Sequence, residues 1–205
     1  MKEDFARKLE ELYGFSMPTH EGQHTYASMQ AAHAGKVRGA FLLGGNLYGS
    51  NPDLDWAEKA LRSIDTTVFL STKLNPGHIF GRGKTSIILP VLARDEESQQ
   101  TTQESMFNFV RLSEGGTPAV AGEMRSEVDI VASFAESVLD KGLFDWAELR
   151  SHASLRAAIA KVVPGYAPID KVEVDGEFQI PGRTFHKPSF NTPGGKAVFC
   201  VAKQP

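Results

Sequence analysis

Two short clusters in this 205-residue chain carry residue types suited to holding a phosphate or a polar head group. The first is Gly44-Gly45-Asn46. Glycines directly after a buried parallel strand let a phosphate or ribose approach the main chain, and their amides can point at an anion. Asn46 adds a side-chain donor and acceptor. The same pair also fits a plain tight turn between strand and helix. The third glycine and the immediate helix of the dinucleotide fingerprint are missing, which disfavours ordinary NAD binding. The second cluster follows another strand and comprises Ser71, Thr72, Lys73, Asn75 and His78. It suits recognition of guanine or ribose, with Lys73 placed to neutralise a phosphate and Arg82 and Lys84 adding charge nearby. The plainer alternative is a solvated loop with a few polar residues.

Hydrolytic chemistry has no comparable signal. There is no nucleophile elbow, no zinc-protease helix motif and no phosphate loop ending in Lys-Ser/Thr. His78 lacks a second ligand at metal spacing, so no metal residue is assigned. Glu96, Glu97 and Glu104 read as solvated carboxylates, and no catalytic residue is assigned.

The elements that position these clusters follow from apolar periodicity. Residues 2–13 and 25–34 read as helices, the second capped by Thr25 and ended by Gly35. Residues 37–43 form a nearly continuous apolar run, as expected of a strand buried on both faces. A helix over 56–64, capped by Asp53 or Asp55, precedes strands over 66–70 and 85–89. The intervening loop, 73–84, has room for one helical turn. This rhythm predicts an α/β domain, an open parallel sheet with flanking helices of Rossmann-like type. Ligands in such sheets sit beyond the carboxyl ends of the strands, so the loops 44–49, 71–78 and 90–94 should share one edge.

Residues 95–125 read as polar and irregular, with one possible strand at 106–112 and a turn at 114–116. A loop of that length in a compact domain suggests that it wraps a ligand. A helix over 126–139 is capped by Ser126, with Val128, Val131, Ala132, Ala135, Val138 and Leu139 as its buried stripe. Residues 145–163 are helical up to Pro164-Gly165. Composition then shifts to prolines, glycines and short extended pieces, ending in a strand over 197–201. The expected division is a cofactor-binding domain over 1–165 and, over 166–205, a linker with the start of a β domain.

A net charge of -3, from 22 basic and 25 acidic residues, does not favour a nucleic-acid partner. The single cysteine excludes an intrachain disulfide and a cysteine-held iron–sulfur cluster. Cys200 reads as a small buried hydrophobe in the last strand. No apolar run approaches the ~18 residues of a membrane span, and the charged start is not a signal peptide. The expected setting is cytoplasmic, without membrane contact.

Several segments together resemble one family, the large molybdopterin oxidoreductases, and within it the formate-dehydrogenase-like alpha subunits. They are Gly35-Lys36-Val37-Arg38-Gly39-Ala40-Phe41 with Leu43-Gly44-Gly45-Asn46, and Thr67-Val68-Phe69-Leu70-Ser71-Thr72-Lys73-Leu74-Asn75 with His78 and Ile88-Leu89-Pro90. Thr102-Gln103-Glu104-Ser105-Met106, Arg125-Ser126-Glu127-Val128-Asp129-Ile130-Val131-Ala132 and Phe190-Asn191-Thr192-Pro193-Gly194-Gly195-Lys196-Ala197-Val198-Phe199 continue the likeness in the same order. The resemblance is to an internal cofactor-binding domain. It implies that Gly44, Gly45 and Asn46 touch the phosphate or nucleoside end of one molybdopterin guanine dinucleotide, carrying molybdenum or tungsten. Ser71, Thr72, Lys73, Asn75 and His78 would line the neighbouring loop, with Glu104 and Ser105 in a segment that closes over it. The metal's protein ligand would come from a domain that matches nothing here. The implied partners are the remaining domains of a parent oxidoreductase, with a homo-oligomer of the isolated segment as a further option. The segment itself would be catalytically inert and would hold the full cofactor weakly. The alternative is a non-catalytic nucleotide- or phosphosugar-binding module such as the central domain of thiamine-diphosphate enzymes.

Overall fold

Three apolar runs become three parallel strands, and amphipathic stretches before and between them become the helices that cover one face. The computed structural model describes residues 2–18, 20–105, 108–119, 122–139, 142, 144–181 and 188–201. Helices α1 (Lys2–Tyr13) and α2 (Thr25–His33) lead into strand β1 (Gly39–Leu43). Helix α3 (Leu54–Arg62), strand β2 (Thr66–Ser71), the short α4 (Gly77–Phe80) and strand β3 (Thr85–Pro90) follow. The sheet order is β1-β2-β3, parallel throughout, with Leu43 beside Leu70 and Leu70 beside Leu89. Asp53 caps α3, its carboxylate accepting from the Trp56 amide at 2.9 Å. The cap of α2 differs from expectation: His24, not Thr25, accepts from the Ala27 amide, through Nδ1 at 3.3 Å.

The chain then builds a second, antiparallel sheet. It comprises β4 (Thr101–Glu104), β5 (Phe109–Ser113) and, after helices α5 (Glu127–Val138), α6 (His152–Val162) and α7 (Val172–Asp175), strand β6 (Glu177–Gln179). The stretch expected to be irregular, with one strand at 106–112, therefore holds two: β5 overlaps the expected strand, and β4 is additional. The polar side chains of β4 hid it, because a strand with one solvated face needs few hydrophobes. Of the strand expected at 106–112, Met106 and Phe107 lie outside the described residues. A buried cluster of Val110, Ile169, Val172 and Ile180 ties β5 to the segment beyond 165, so the change in composition there does not coincide with a break in packing. The helical stretch over 145–163 is interrupted: a 3-10 turn (Glu148–Arg150) ends at Ser151, which caps α6.

Strand β2 is the centre of the parallel sheet, with Leu70 and Thr67 fully buried. The Thr67 hydroxyl is satisfied by the Gly83 amide at 3.1 Å and by Ser86 Oγ at 2.7 Å. On one face Met29, Ala32, Ala57, Ala60, Leu61 and Ile64 of α2, α3 and the turn after it form the core. The opposite face is barely covered. Phe41 and Leu43 remain 41% and 57% exposed, against the expectation that β1 is buried on both faces. β1 is an edge strand, and on that side Phe41 meets the ring of Phe134, at 5.7 Å between centroids. The expected stripe of α5 is likewise half bare: Ala132 and Ala135 are buried, whereas Val131, Val138 and Leu139 are exposed, as is Phe134 beside them. Residues 197–201 form no strand, and Cys200 is exposed, since no neighbouring strand among the described residues pairs with that run.

Because Leu70 has no exposed surface at the middle of three strands, Leu70→Ala should lower unfolding free energy by about 2–5 kcal/mol, read from urea denaturation. A loss below ~1 kcal/mol would mean that β2 is not the core strand.

Candidate functional site

Parallel register places the ends of β1, β2 and β3 at one edge, and the loops after them meet there as expected. Gly44 extends the ladder by donating its amide to Leu70 O at 2.8 Å, and the chain then turns away through two left-handed residues, Gly44 at φ 65° and Gly45 at φ 67°. Side chains rarely adopt that conformation, which is why glycine follows glycine here. Among the described residues, no acceptor engages the N–H groups of Gly45 and Asn46, and the space where a Cβ of Gly45 would project is open.

Asn75 joins this turn to the loop after β2, its Nδ2 donating to Gly45 O at 3.1 Å. Asn46 turns inward, accepting from the Gly49 amide at 2.9 Å through Oδ1. Both asparagines crowd Gly77, where an added Cβ would stand 2.6 Å from Asn46 Oδ1 and 2.9 Å from Asn75 Oδ1. Gly77 is thus a requirement of the site that its loop position did not reveal. The hollow beneath the turn is about 10 Å³, room for one water at most, so a ligand must lie across this rim.

Ser71 and His78 serve the rim as braces. His78 is buried under Phe69 and bonds at both ring nitrogens. Nδ1 accepts from the Asn75 amide at 2.9 Å, a shorter contact than the 3.3 Å to Asn75 O, which leaves Nε2–H to donate to Ser71 Oγ at 3.0 Å. Lys73 is exposed beside them. Arg82 and Lys84, expected nearby, belong to the opposite edge, just before β3: Lys84 Nζ binds Asp65 Oδ1 at 2.7 Å, across the start of β2. The sequence interval is short, but α4 and the turn after it carry the chain back along the sheet. Glu104 and Ser105 lie in and after β4, where Glu104 bonds Tyr166 Oη and Ser105 N donates to Phe109 O at 2.8 Å; neither lines the rim hollow.

Thr72 faces another space altogether. A cavity of about 370 Å³ opens past the ends of β2 and β3, lined by Thr72, Leu92, Arg94, Glu97, Glu127, His152 and Arg156 among others. Ser126 caps α5 right after a one-residue parallel bridge between Val91 and Arg125, which sets Glu127 beside the loop after β3. On α6, His152, Leu155, Arg156 and Ile159 share one face at helical spacing and line the cavity together. That stripe was visible in the sequence but was masked by its polar members. Glu97, expected to be solvated, is 7% exposed: its turn is folded under Gly115-Gly116, with Glu97 O accepting from the Gly116 amide at 2.8 Å. Burial first, and then the nearby Glu97 charge, raise the Glu127 carboxyl above the ordinary glutamate range. Among the described residues, no group of three His, Cys, Asp or Glu side chains could hold a metal ion. No described helix is long and apolar enough to cross a membrane.

The fold and rim define an α/β domain with an open ligand edge at the carboxyl ends of its parallel strands. No family model matches the chain. It is 34% identical over 210 residues to a protein of Mycobacterium tuberculosis named as an uncharacterised oxidoreductase, and equally so to its Mycobacterium bovis counterpart. It is 30% identical over 208 residues to the YdeP protein of Escherichia coli. Each match takes in 98% of this chain but only 27% of the relative, so the chain corresponds to about a quarter of larger proteins.

Two outcomes test this geometry. Gly77→Ala should push Asn46 and Asn75 apart and break the Asn75–Gly45 link, moving the Gly45 amide resonance and costing about 1 kcal/mol per bond lost. An unmoved resonance would refute the crowding. Glu127 takes up protons more readily folded than unfolded, so its contribution to stability is present below its unfolded pKa and is lost as pH rises through the raised folded value. Glu127→Gln should flatten that part of the stability–pH curve, measured by urea midpoints; an unchanged slope contradicts it.

Proposed function

We propose that this chain is the part of a larger oxidoreductase that binds the nucleotide end of one molybdopterin guanine dinucleotide. The observation that carries this reading is the rim itself. Two successive left-handed glycines leave the Gly45 and Asn46 amides open, and Asn75 of the next loop donates across to the Gly45 carbonyl. Main-chain donors of this kind suit phosphate oxygens, and Lys73 stands exposed on the adjoining loop to balance their charge. Likeness to proteins named as oxidoreductases, over a quarter of their length, supports the same assignment.

The residues present fit the nucleotide end of such a group and not its metal. Gly45 and Asn46 would hold phosphate through N–H donation, and Asn75 would fix the distance between the two loops. Ser71 and His78 would keep the Asn75 loop in place without touching the ligand. Bound between this domain and the rest of the parent, the cofactor supplies two-electron transfer at its metal. With a hollow of only about 10 Å³ beneath the rim, the rim here forms one wall of a cleft. Dinucleotide ligands are usually enclosed on several sides, so this chain alone should bind the cofactor weakly and transfer no electrons.

Thermal unfolding with added GDP, ADP and ribose 5-phosphate tests the reading. GDP should stabilise the chain selectively, by about 2.7 kcal/mol at a hundredfold excess over Kd, and Gly45→Val should abolish the effect. Equal stabilisation by ADP or the sugar phosphate would favour a general phosphate-binding module instead. No stabilisation by any of them would reject a nucleotide site, and formate-dependent dye reduction by the chain alone would reject its catalytic silence.

A further inference from the structure

The 370 Å³ cavity past β2 and β3 contains polar groups that the fold itself leaves without partners. His152 is 8% exposed at the start of α6, and its position is fixed from three sides. Its amide donates to Gln99 Oε1 at 2.9 Å, Gln99 Nε2 donates to Arg150 O at 3.0 Å, and its Nδ1 lies 3.2 Å from Gln100 O. A carbonyl only accepts, so Nδ1 donates to it, and in the tautomer with a single ring proton Nε2 presents a lone pair. That Nε2 is buried with no hydrogen-bond partner among the described residues, and so is Thr101 Oγ1, whose residue also lines the cavity. Buried polar atoms are normally paired, and leaving one unpaired costs about 1–3 kcal/mol.

The charges around the cavity show what kind of partner is missing. Glu97 is buried, and Glu127 lies within electrostatic reach of it. Two cations also belong to the lining, but neither answers these carboxylates. Arg156 is committed to Glu173 and to Gln100 O, the latter at 2.8 Å, while Arg94 is exposed. Leu92, Val128, Leu155 and Ile159 supply an apolar wall. Two carboxyl groups and an acceptor nitrogen against an apolar surface call for a molecule with several N–H donors, a positive charge and a hydrophobic body.

We propose that this cavity is a binding site for a small amphiphilic organic cation, an amidine or amine, whose N–H groups bond Glu97, Glu127 and His152 Nε2. The site is separate from the glycine rim, since of the residues proposed for the cofactor only Thr72 lines it. It does not depend on the cofactor reading. Binding of the cation draws Glu127 into its ionised form, so uptake of ligand releases a proton and affinity rises with pH until Glu127 is fully ionised.

Isothermal titration of the full chain with benzamidine tests the proposal, with benzamide as the neutral isostere and benzoate as the anion. Benzamidine should bind with 1:1 stoichiometry, benzamide and benzoate at least about tenfold more weakly. Glu97→Gln and His152→Phe should each weaken benzamidine about tenfold, and Glu127→Gln should remove the pH dependence. Circular dichroism establishes that each variant is folded, and the untouched chain with its three ligands remains decisive if one is not. No benzamidine heat, preference for benzoate, or pH-independent affinity in the unaltered chain would each overturn the proposal. Displacement of benzamidine by GDP would overturn the separateness of the two sites, whereas GDP binding alongside it, or not at all, leaves this site standing.

Discussion

Strand β2 lies between two parallel neighbours in unshifted register, and every feature of the ligand edge depends on that alignment. In a parallel pair, equivalent ends coincide, so the residue leaving β1 emerges beside the residue leaving β2. Gly44 can therefore donate to Leu70 O, and Asn75 can reach back to Gly45. A slip of one residue would carry Leu70 and Thr67 each to the opposite face of the sheet and separate the two loops at once. The small amount of covering structure makes this alignment more important: the helices shield one face of the sheet, and the buried width of β2 holds the rest together.

The rim and the cavity use the same edge differently. At the rim, glycine conformation exposes main-chain donors, and asparagine side chains set the spacing of the loops. At the cavity, a single bridge from Val91 to Arg125 turns the chain into α5, and Gln99 anchors the start of α6. Acceptors then gather where donors gathered a short distance away along the edge. An open sheet edge thus presents open main-chain donors and buried acceptors side by side without any change in the sheet. The bare apolar residues on the other side, Phe41, Leu43, Phe134 and Val138, lie on the face that the helices α2 and α3 do not reach. Relatives about four times as long have more chain with which to cover such a face.

Much of this was legible in the amino-acid sequence. Short apolar, β-branched runs of five to seven residues determined the three parallel strands, and the glycines after the first of them marked the rim. Capping residues located α3 and α5, because Asp53 and Ser126 act on their own next turn. Such features are local, and local chemistry is written in order along the chain. Partnership between distant segments is not. Only the tertiary structure decided that β1 has one bare face, that Arg82 and Lys84 sit at the far edge, and that polar residues 101–104 pair as a strand with 109–113. It also decided that Glu97 is buried and that His152 and Glu127 line one cavity. Burial and electrostatic environment depend on which remote surfaces meet, and a side chain's type sets only what it can do once they have met.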